Sequence, residues 1–246
     1  MMTKLMTLAT LAAATVFAGA VGTAALAQSA PAAERSGTNQ AERSGTESPA
    51  ARGVTAARDA LALAQRARSS RDGLAMLVAA RELRAAGLQS TAGPETATMA
   101  NPGAAGASAG AAPTTPAPTA ESLFAEARTL ARGDRDLLRR IDQAERTQAR
   151  GLIGGGQTFV RDINADSHIN WRVTARGGEI WRVGAMGDGD TDVDIQVIDE
   201  NGNVVCQDTG TSSTALCTLT PRWTGQFTVR IINWGRVWTR TVIASN

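Results

Sequence analysis

From residue 54 to residue 86 the apolar positions recur at helical spacing. Met76, Leu77, Ala80 and Leu83 form a stripe at i, i+1, i+4 and i+7, and Leu123, Phe124, Ala127 and Leu130 repeat it. The first stretch reads as a helical hairpin over 53–88: a helix over 54–68, a turn at Ser69-Ser70-Arg71-Asp72, and a helix over 73–86 stopped by Gly87. A second hairpin is expected over 119–150, where Leu137, Leu138 and Ile141 carry a similar stripe after a stop and cap at Gly133-Asp134. Leu77 to Leu83 aligns with Phe124 to Leu130 as a short internal repeat. Nothing in the pattern requires the two hairpins to touch.

Beyond residue 156 the period changes from helical to two. Ile169, Trp171 and Val173 alternate with Asn170, Arg172 and Thr174, and Val193, Ile195 and Val197 alternate with Asp192, Asp194 and Gln196, so each strand has a dry side. Eight short extended segments are expected near 157–162, 168–175, 179–186, 191–199, 203–207, 214–219, 225–232 and 236–243. This is the spacing of a β-sandwich or jelly roll. Asn201-Gly202 marks a tight turn that sets Val197 opposite Cys206. The chain as a whole reads as α+β, with N-terminal helical hairpins and disordered linkers followed by an all-β jelly-roll sandwich over 151–246.

Composition shows which stretches fall outside these elements. Residues 28–52 repeat Glu-Arg-Ser-Gly-Thr without large apolar side chains, and read as a disordered tether. Residues 89–118 are almost wholly Ala, Gly, Pro, Thr and Ser, a linker composition. The glycine-rich run over 151–156 reads as a hinge, since no Lys-Ser/Thr and no helix follow it to make a phosphate cradle. Residues 1–27 carry one charge, Lys4, then an uncharged Ala-rich stretch ending in Ala25-Leu26-Ala27. That is a signal-peptide pattern, so the expected location is periplasmic or secreted, with no stable membrane span once the signal is removed. Lys4 is the only lysine, and the arginines nearly balance the acids, which argues against a nucleic-acid partner.

Cys206 and Cys217 are the only cysteines. In an exported chain a disulfide is the economical reading, and with Cys206 and Cys217 on neighbouring strands a cross-strand bridge fits. The sole histidine, His168, is too far away in sequence to complete a zinc site with them.

Several motifs then occur in order: Ala175-Arg176-Gly177-Gly178-Glu179, Asp190-Thr191-Asp192-Val193-Asp194-Ile195, Asp199-Glu200-Asn201-Gly202-Asn203, and Pro221-Arg222-Trp223-Thr224-Gly225-Gln226-Phe227. Over about 157–246 the chain resembles a bacterial pre-peptidase C-terminal domain. The resemblance implies a jelly-roll module of a secreted protein, associated with secretion, localisation or substrate binding. The protease that usually accompanies such a module is replaced here by the helices.

Two candidate sites follow. Asp188, Asp190 and Asp192 offer hard oxygen ligands for calcium from one loop, although Val193 stands where an EF-hand needs glycine and Asp199 where it needs glutamate. The alternative is a solvated, capping acidic loop, with no cofactor. Trp238 shares a strand face with Arg236 and Arg240. A three-residue hairpin loop at Asn233-Trp234-Gly235 would place Arg230 opposite Trp238, giving an Arg–Trp ladder. Alternatively, Trp234 and Trp238, with Arg230, Arg236 and Arg240, make a platform for a sugar or peptide. Trp171 and Trp181 are assigned to the core.

No catalytic constellation stands out. The motif around Ser108 imitates a nucleophile elbow but lies in the Ala-Gly linker, and His168 beside Asp166 and Ser167 cannot converge as a triad. The expectation is therefore an exported non-catalytic protein that binds or localises, its partner a cell-envelope protein or polysaccharide. The alternative is an accessory module, or a cell-envelope hydrolase using the 188–194 loop.

Overall fold

A computed structural model describes residues 35–103, 117–147 and 156–246. The expected signal segment, the motif around Ser108 and the glycines over 151–155 lie outside those residues. Four helices come first: α1 (Pro49–Ser70), α2 (Gly73–Ala85), α3 (Ala120–Ala131) and α4 (Arg135–Arg146). Between α2 and α3 run two short strands, β1 (Gln89–Ser90) and β2 (Ala97–Ala100). Then follow β3 (Gln157–Ile163), β4 (Ser167–Ala175), β5 (Trp181–Met186), β6 (Val193–Ile198), β7 (Val204–Asp208), β8 (Thr214–Leu219), β9 (Gly225–Asn233) and β10 (Thr239–Ser245).

The two sheets are ordered β1-β3-β10-β5-β8 and β2-β4-β9-β6-β7. With β1 and β2 set aside, consecutive strands change sheet at every connection except the β6–β7 hairpin, which is jelly-roll topology. Phe159, Ile169, Trp171, Trp181, Ile195, Phe227 and Ile231 fill the space between the sheets. Trp171 and Phe159 meet edge-to-face with ring centroids 5.5 Å apart. The hairpin register pairs Val197 with Cys206, and a disulfide joins Cys206 to Cys217. That bridge ties the edge strand of one sheet to the edge strand of the other, because β7 and β8 close the same side of the sandwich.

Each helix starts on a side-chain cap. Ser48 accepts from the Ala51 N–H ahead of Pro49, Asp72 from Leu74 and Ala75, and Asp134 from Asp136 and Leu137, while Thr119 and Ser122 cap each other reciprocally. The helical pairs pack together: Met76, Leu77 and Ala80 of α2 share one core with Leu123, Phe124 and Ala127 of α3 and Ile141 of α4. A two-pronged Arg68–Glu126 pair at 2.6 and 2.8 Å adds a clamp between α1 and α3. The bundle also sits on the sandwich. Val54, Leu61 and Ala64 of α1 join Met186 of β5 and Val242 and Ala244 of β10 in that same core. The run of alanines on the buried face of α1 lets the helix approach the sheet closely, so β5 and β10 are dry on both faces.

Two of the expected linkers are ordered where they are described. Within the 28–52 stretch, residues 35–48 are not a free tether but lie along the sandwich. Ala41 N–H donates to Thr220 O at 2.8 Å, Thr46 N–H to Gly178 O at 3.0 Å, and Asn39 is fully buried. The anchors are polar, so a search for apolar side chains does not find them. Within 89–118, β1 adds in parallel to β3 and β2 adds antiparallel to β4. These strands need only backbone groups, which an Ala-Thr segment supplies as well as any other. A side chain at Gly93 would lie 2.4 Å from the Phe159 ring, so the small residues there permit the chain to cross the sandwich edge. The segment runs along the edge opposite the disulfide and adds one short strand to each sheet, against residues 157–158 of β3 and 167–170 of β4.

Candidate functional site

The acidic loop and the β9–β10 connection meet at one end of the sandwich. Asn233 positions the connection. Fully buried, it donates from its amide to the carbonyls of Ile163, Asn164 and Val237, and accepts from the Gly235 N–H. At Gly235 a Cβ would fall 2.7 Å from the Thr191 side chain, so the close approach of the two loops requires glycine. Trp234 is thereby held by both of its N–H groups. Its backbone N–H donates to Asp192 O at 3.2 Å and its indole Nε1 to Asp194 Oδ2 at 2.6 Å, while the residue stays 45% exposed. Helix α1 secures the other loop: Gln65 Nε2 donates to Gly187 O and its Oε1 accepts from Ser213.

The expected platform is corrected by the topology. β9 pairs with β4 and β6, and β10 with β3 and β5, so residues 233–235 cross between sheets and do not close a hairpin. Arg230 accordingly lies beside Asn170 and Gln196, not opposite Trp238, and its Nε donates to Asn170. Trp238 is buried, which removes it from any platform. Arg240 pairs with Asp162 on β3 at 2.8 Å, and Arg236 is exposed. Of the five residues, the structure leaves Trp234 and Arg236 on the surface, with Val237 47% exposed beside them.

The calcium trio does not converge either. Asp188 spends both oxygens on β10, accepting from the Thr239 hydroxyl at 2.7 Å and the Arg240 N–H at 3.2 Å. The Asp190 carboxyl is close enough to Asp188 to feel its charge. Among the described residues no group of three or more His, Cys, Asp or Glu side chains is placed to hold a metal ion.

The carboxyls here are nevertheless perturbed. Asp190, exposed as a residue, has its carboxyl pushed up to about 6, first by lost hydration and then by the hydrogen bond and charge of Asp188. Burial also raises Asp192 and Asp194. For Asp194 the indole hydrogen bond works in the opposite direction, and the charges of Asp192 and Asp208 add to the rise. Asp194, on the polar side of the strand in the alternation pattern, is 5% exposed and its Oδ1 has no hydrogen-bond partner.

A carboxyl whose folded pKa lies above its unfolded value makes its favourable contribution when protonated and loses it as pH rises. For Asp190 the window runs from 3.8 to about 6. Asp190→Asn is therefore expected to leave the melting temperature unchanged at pH 4 and to raise it above that of the parent at pH 7.5, as read by thermal denaturation. A variant effect equal at both pH values would show that the carboxylate pair is not strained.

His168, the second residue of β4, forms no triad. It is buried, its Nδ1 lies 3.1 Å from Asn101 Oδ1, and its Nε2 has no partner. Burial first, and the charge of Arg230 second, lower its pKa and keep it neutral.

No protein-family model matches the chain, and no protein of curated function matches it in sequence. Solved structures do. The chain is similar to PliG, a periplasmic inhibitor of g-type lysozyme from Aeromonas hydrophila, at 9% identity and a TM-score of 0.29 over 37% of this chain and 84% of that one. It is also similar to the pre-peptidase C-terminal domain of collagenase from Bacillus anthracis, at 10% identity and 0.22 over 39% and 82%. A third is the carbohydrate-binding module CBM6cm-2 of Cellvibrio mixtus lichenase 5A, at 13% identity and 0.26 over 38% and 87%. Likeness of this degree says nothing of ligand or activity.

Proposed function

We propose that the protein is an exported, non-catalytic binding or localisation module of the pre-peptidase C-terminal type, which holds a cell-envelope polysaccharide at the end surface made by Trp234 and the 188–194 loop. The immobilised indole carries this reading. Trp234 is fixed at both N–H groups yet almost half exposed, so it offers an apolar face whose ordering is complete before a ligand arrives. Sugar rings stack on such faces, and the carboxylates around it accept hydroxyl hydrogen bonds. Those carboxylates also repel anionic chains near neutral pH, so the expected glycan is neutral or carries amino groups.

Among the described residues no helix is long and apolar enough to cross a membrane, and the disulfide agrees with export. A hydrolase using the 188–194 loop would need two carboxyls free to face substrate. Asp188 is engaged with β10 and Asp194 with the indole, which leaves Asp190 and Asp192 as the carboxyls a hydrolase would have to use.

Co-sedimentation of the exported chain with insoluble envelope polysaccharide tests the proposal. Trp234→Ala is expected to weaken binding at least about ten-fold, the usual consequence of losing an aromatic anchor, and also to lower the melting temperature because the buried Asp194 carboxyl loses its indole hydrogen bond, so binding is compared at a temperature where the variant is folded. Equal sedimentation of variant and parent, or reducing ends released by the parent, would sink it.

A further inference from the structure

Away from the sandwich end, the helical bundle carries a second concavity that the glycan reading does not use. It is a groove of about 500 Å³ between α2, the end of α3 nearest it, and α4. Its floor is Phe124, and along one wall Leu74 and Val78 of α2, one turn apart, are 49% and 39% exposed. These are large apolar side chains on a helix whose other face is already buried. Arg81 continues their row by one further turn, and Arg140 faces the groove from α4.

The charges around the groove are of one sign. Among the described residues that line it, Arg81, Arg84 and Arg140 are charged and none is acidic. Arg84 is committed to the wall: its guanidinium lies 4.3 Å over the Phe124 ring and donates to the carbonyls of Ala144, Glu145 and Thr147 at the end of α4. Arg81 and Arg140 pair with no carboxylate among the described residues, and both are exposed. Several other arginines of the bundle are ion-paired, as in Arg68–Glu126 and in Arg128 with Asp142 and Glu145.

We propose that this groove binds a single-chain anionic amphiphile, with the alkyl chain along Leu74, Val78 and Phe124 and the acidic head between Arg81 and Arg140. Unmatched positive charge at the mouth of an apolar trough is complementary to that chemistry. The volume lies in the range of small-molecule sites. A partner helix would require a row of anchors over more than two turns, and α2 presents two exposed apolar side chains.

Isothermal titration of the full exported chain with laurate below its micelle concentration tests this. Laurate is expected to bind, Arg81→Ala/Arg140→Ala to weaken it about ten-fold, and Val78→Asp to abolish it, while dodecyl maltoside binds at least ten-fold more weakly and inorganic phosphate alone does not bind. Each variant is checked by its melting curve, and both groups are exposed enough for folding to survive the change. Trp234→Ala is expected to leave laurate binding untouched, which separates this result from the polysaccharide assay. Absence of laurate binding, equal affinity for dodecyl maltoside, or affinity unchanged by the arginine and Val78 substitutions would each overturn the proposal. So would sedimentation velocity showing that Val78→Asp disrupts a dimer, since a second copy would then be the occupant.

Discussion

Asp199→Ala is expected to destabilise the protein by about 3–5 kcal/mol, because one buried carboxylate organises both a hairpin turn and the docked N-terminal arm. Asp199 is 4% exposed. Its Oδ1 accepts from the N–H groups of Asn201 at 3.0 Å and Asn203 at 2.8 Å, and its Oδ2 from the Asn39 N–H at 2.9 Å and the Asn203 amide at 3.0 Å. The arm is then carried onward: Asn39 donates from its amide to Glu200 and accepts from the Trp223 N–H at 3.1 Å, while Glu200 also takes the Trp223 indole N–H. Removing the carboxylate leaves several donors without an acceptor in a site that water enters poorly. Asp199→Asn is expected to cost nearly as much, since its amide turns donors against donors.

Urea denaturation gives the magnitude, and proteolysis after Arg43 should accelerate in both variants as the arm detaches. A loss below about 1 kcal/mol would mean that the arm and the turn are held by something else. The same residue predicts acid sensitivity. Burial alone would raise its pKa, but the hydrogen bonds from Asn203, Asn39 and Asn201 outweigh that and hold it below the usual carboxylate value. A depressed carboxyl supports the fold above its unfolded pKa of 3.8 and loses that support as pH falls through the lower folded value, so the difference between parent and Asp199→Asn should narrow in strong acid.

What could be read before the structure followed from local periodicity. The alternation of Ile169, Trp171 and Val173 places β4, the stripe of Met76, Leu77, Ala80 and Leu83 places α2, and Asn201-Gly202 places the β6–β7 turn with Val197 against Cys206. These signals need only residues within one element or one hairpin. Sheet membership is not local. Nothing in residues 225–245 says whether β9 turns back on β10 or crosses to the other sheet, and that choice moves Arg230 away from Trp238 and buries Trp238.

Polar anchoring is hidden for the same reason. Asn39 is an ordinary residue in a low-complexity stretch until Asp199, 160 positions away, comes beside it. The candidate surface was half legible. Asp188 to Asp194 and Trp234 stand out by type, but the indole hydrogen bond that buries Asp194, and the grip of Gln65 on Gly187, depend on two loops and a helix meeting at one end. An acidic residue in an alternating strand reads as solvent-facing, and here a neighbouring loop folds over it.

Reducing the disulfide, or making Cys206→Ala/Cys217→Ala, is expected to lower stability by about 3 kcal/mol, the chain-entropy value for a loop of this size. The bridge closes a separation of 11 residues between strands that belong to different sheets. β7 and β8 share no backbone ladder, so their spacing at that edge is fixed by the covalent link and by the Leu216 N–H, which donates to the Asp208 carboxylate at 2.9 Å, helped by burial of Cys217 between Val183 and the core. At the opposite edge β1 and β2 add backbone pairing to each sheet, while α1 packs over β5, β10 and Leu216 of β8. The double variant should therefore lose hydrogen-exchange protection first in β7 and β8, while β3 and β4 keep theirs until global unfolding. Denaturation with and without reductant measures the loss, and alkylation of the unreduced protein should modify no thiol. Two alkylated cysteines in protein taken from an oxidising compartment would remove the bridge from the account. A loss of protection spread evenly over both edges would mean that it stabilises only by restricting the unfolded chain, and does not hold the two sheets together locally.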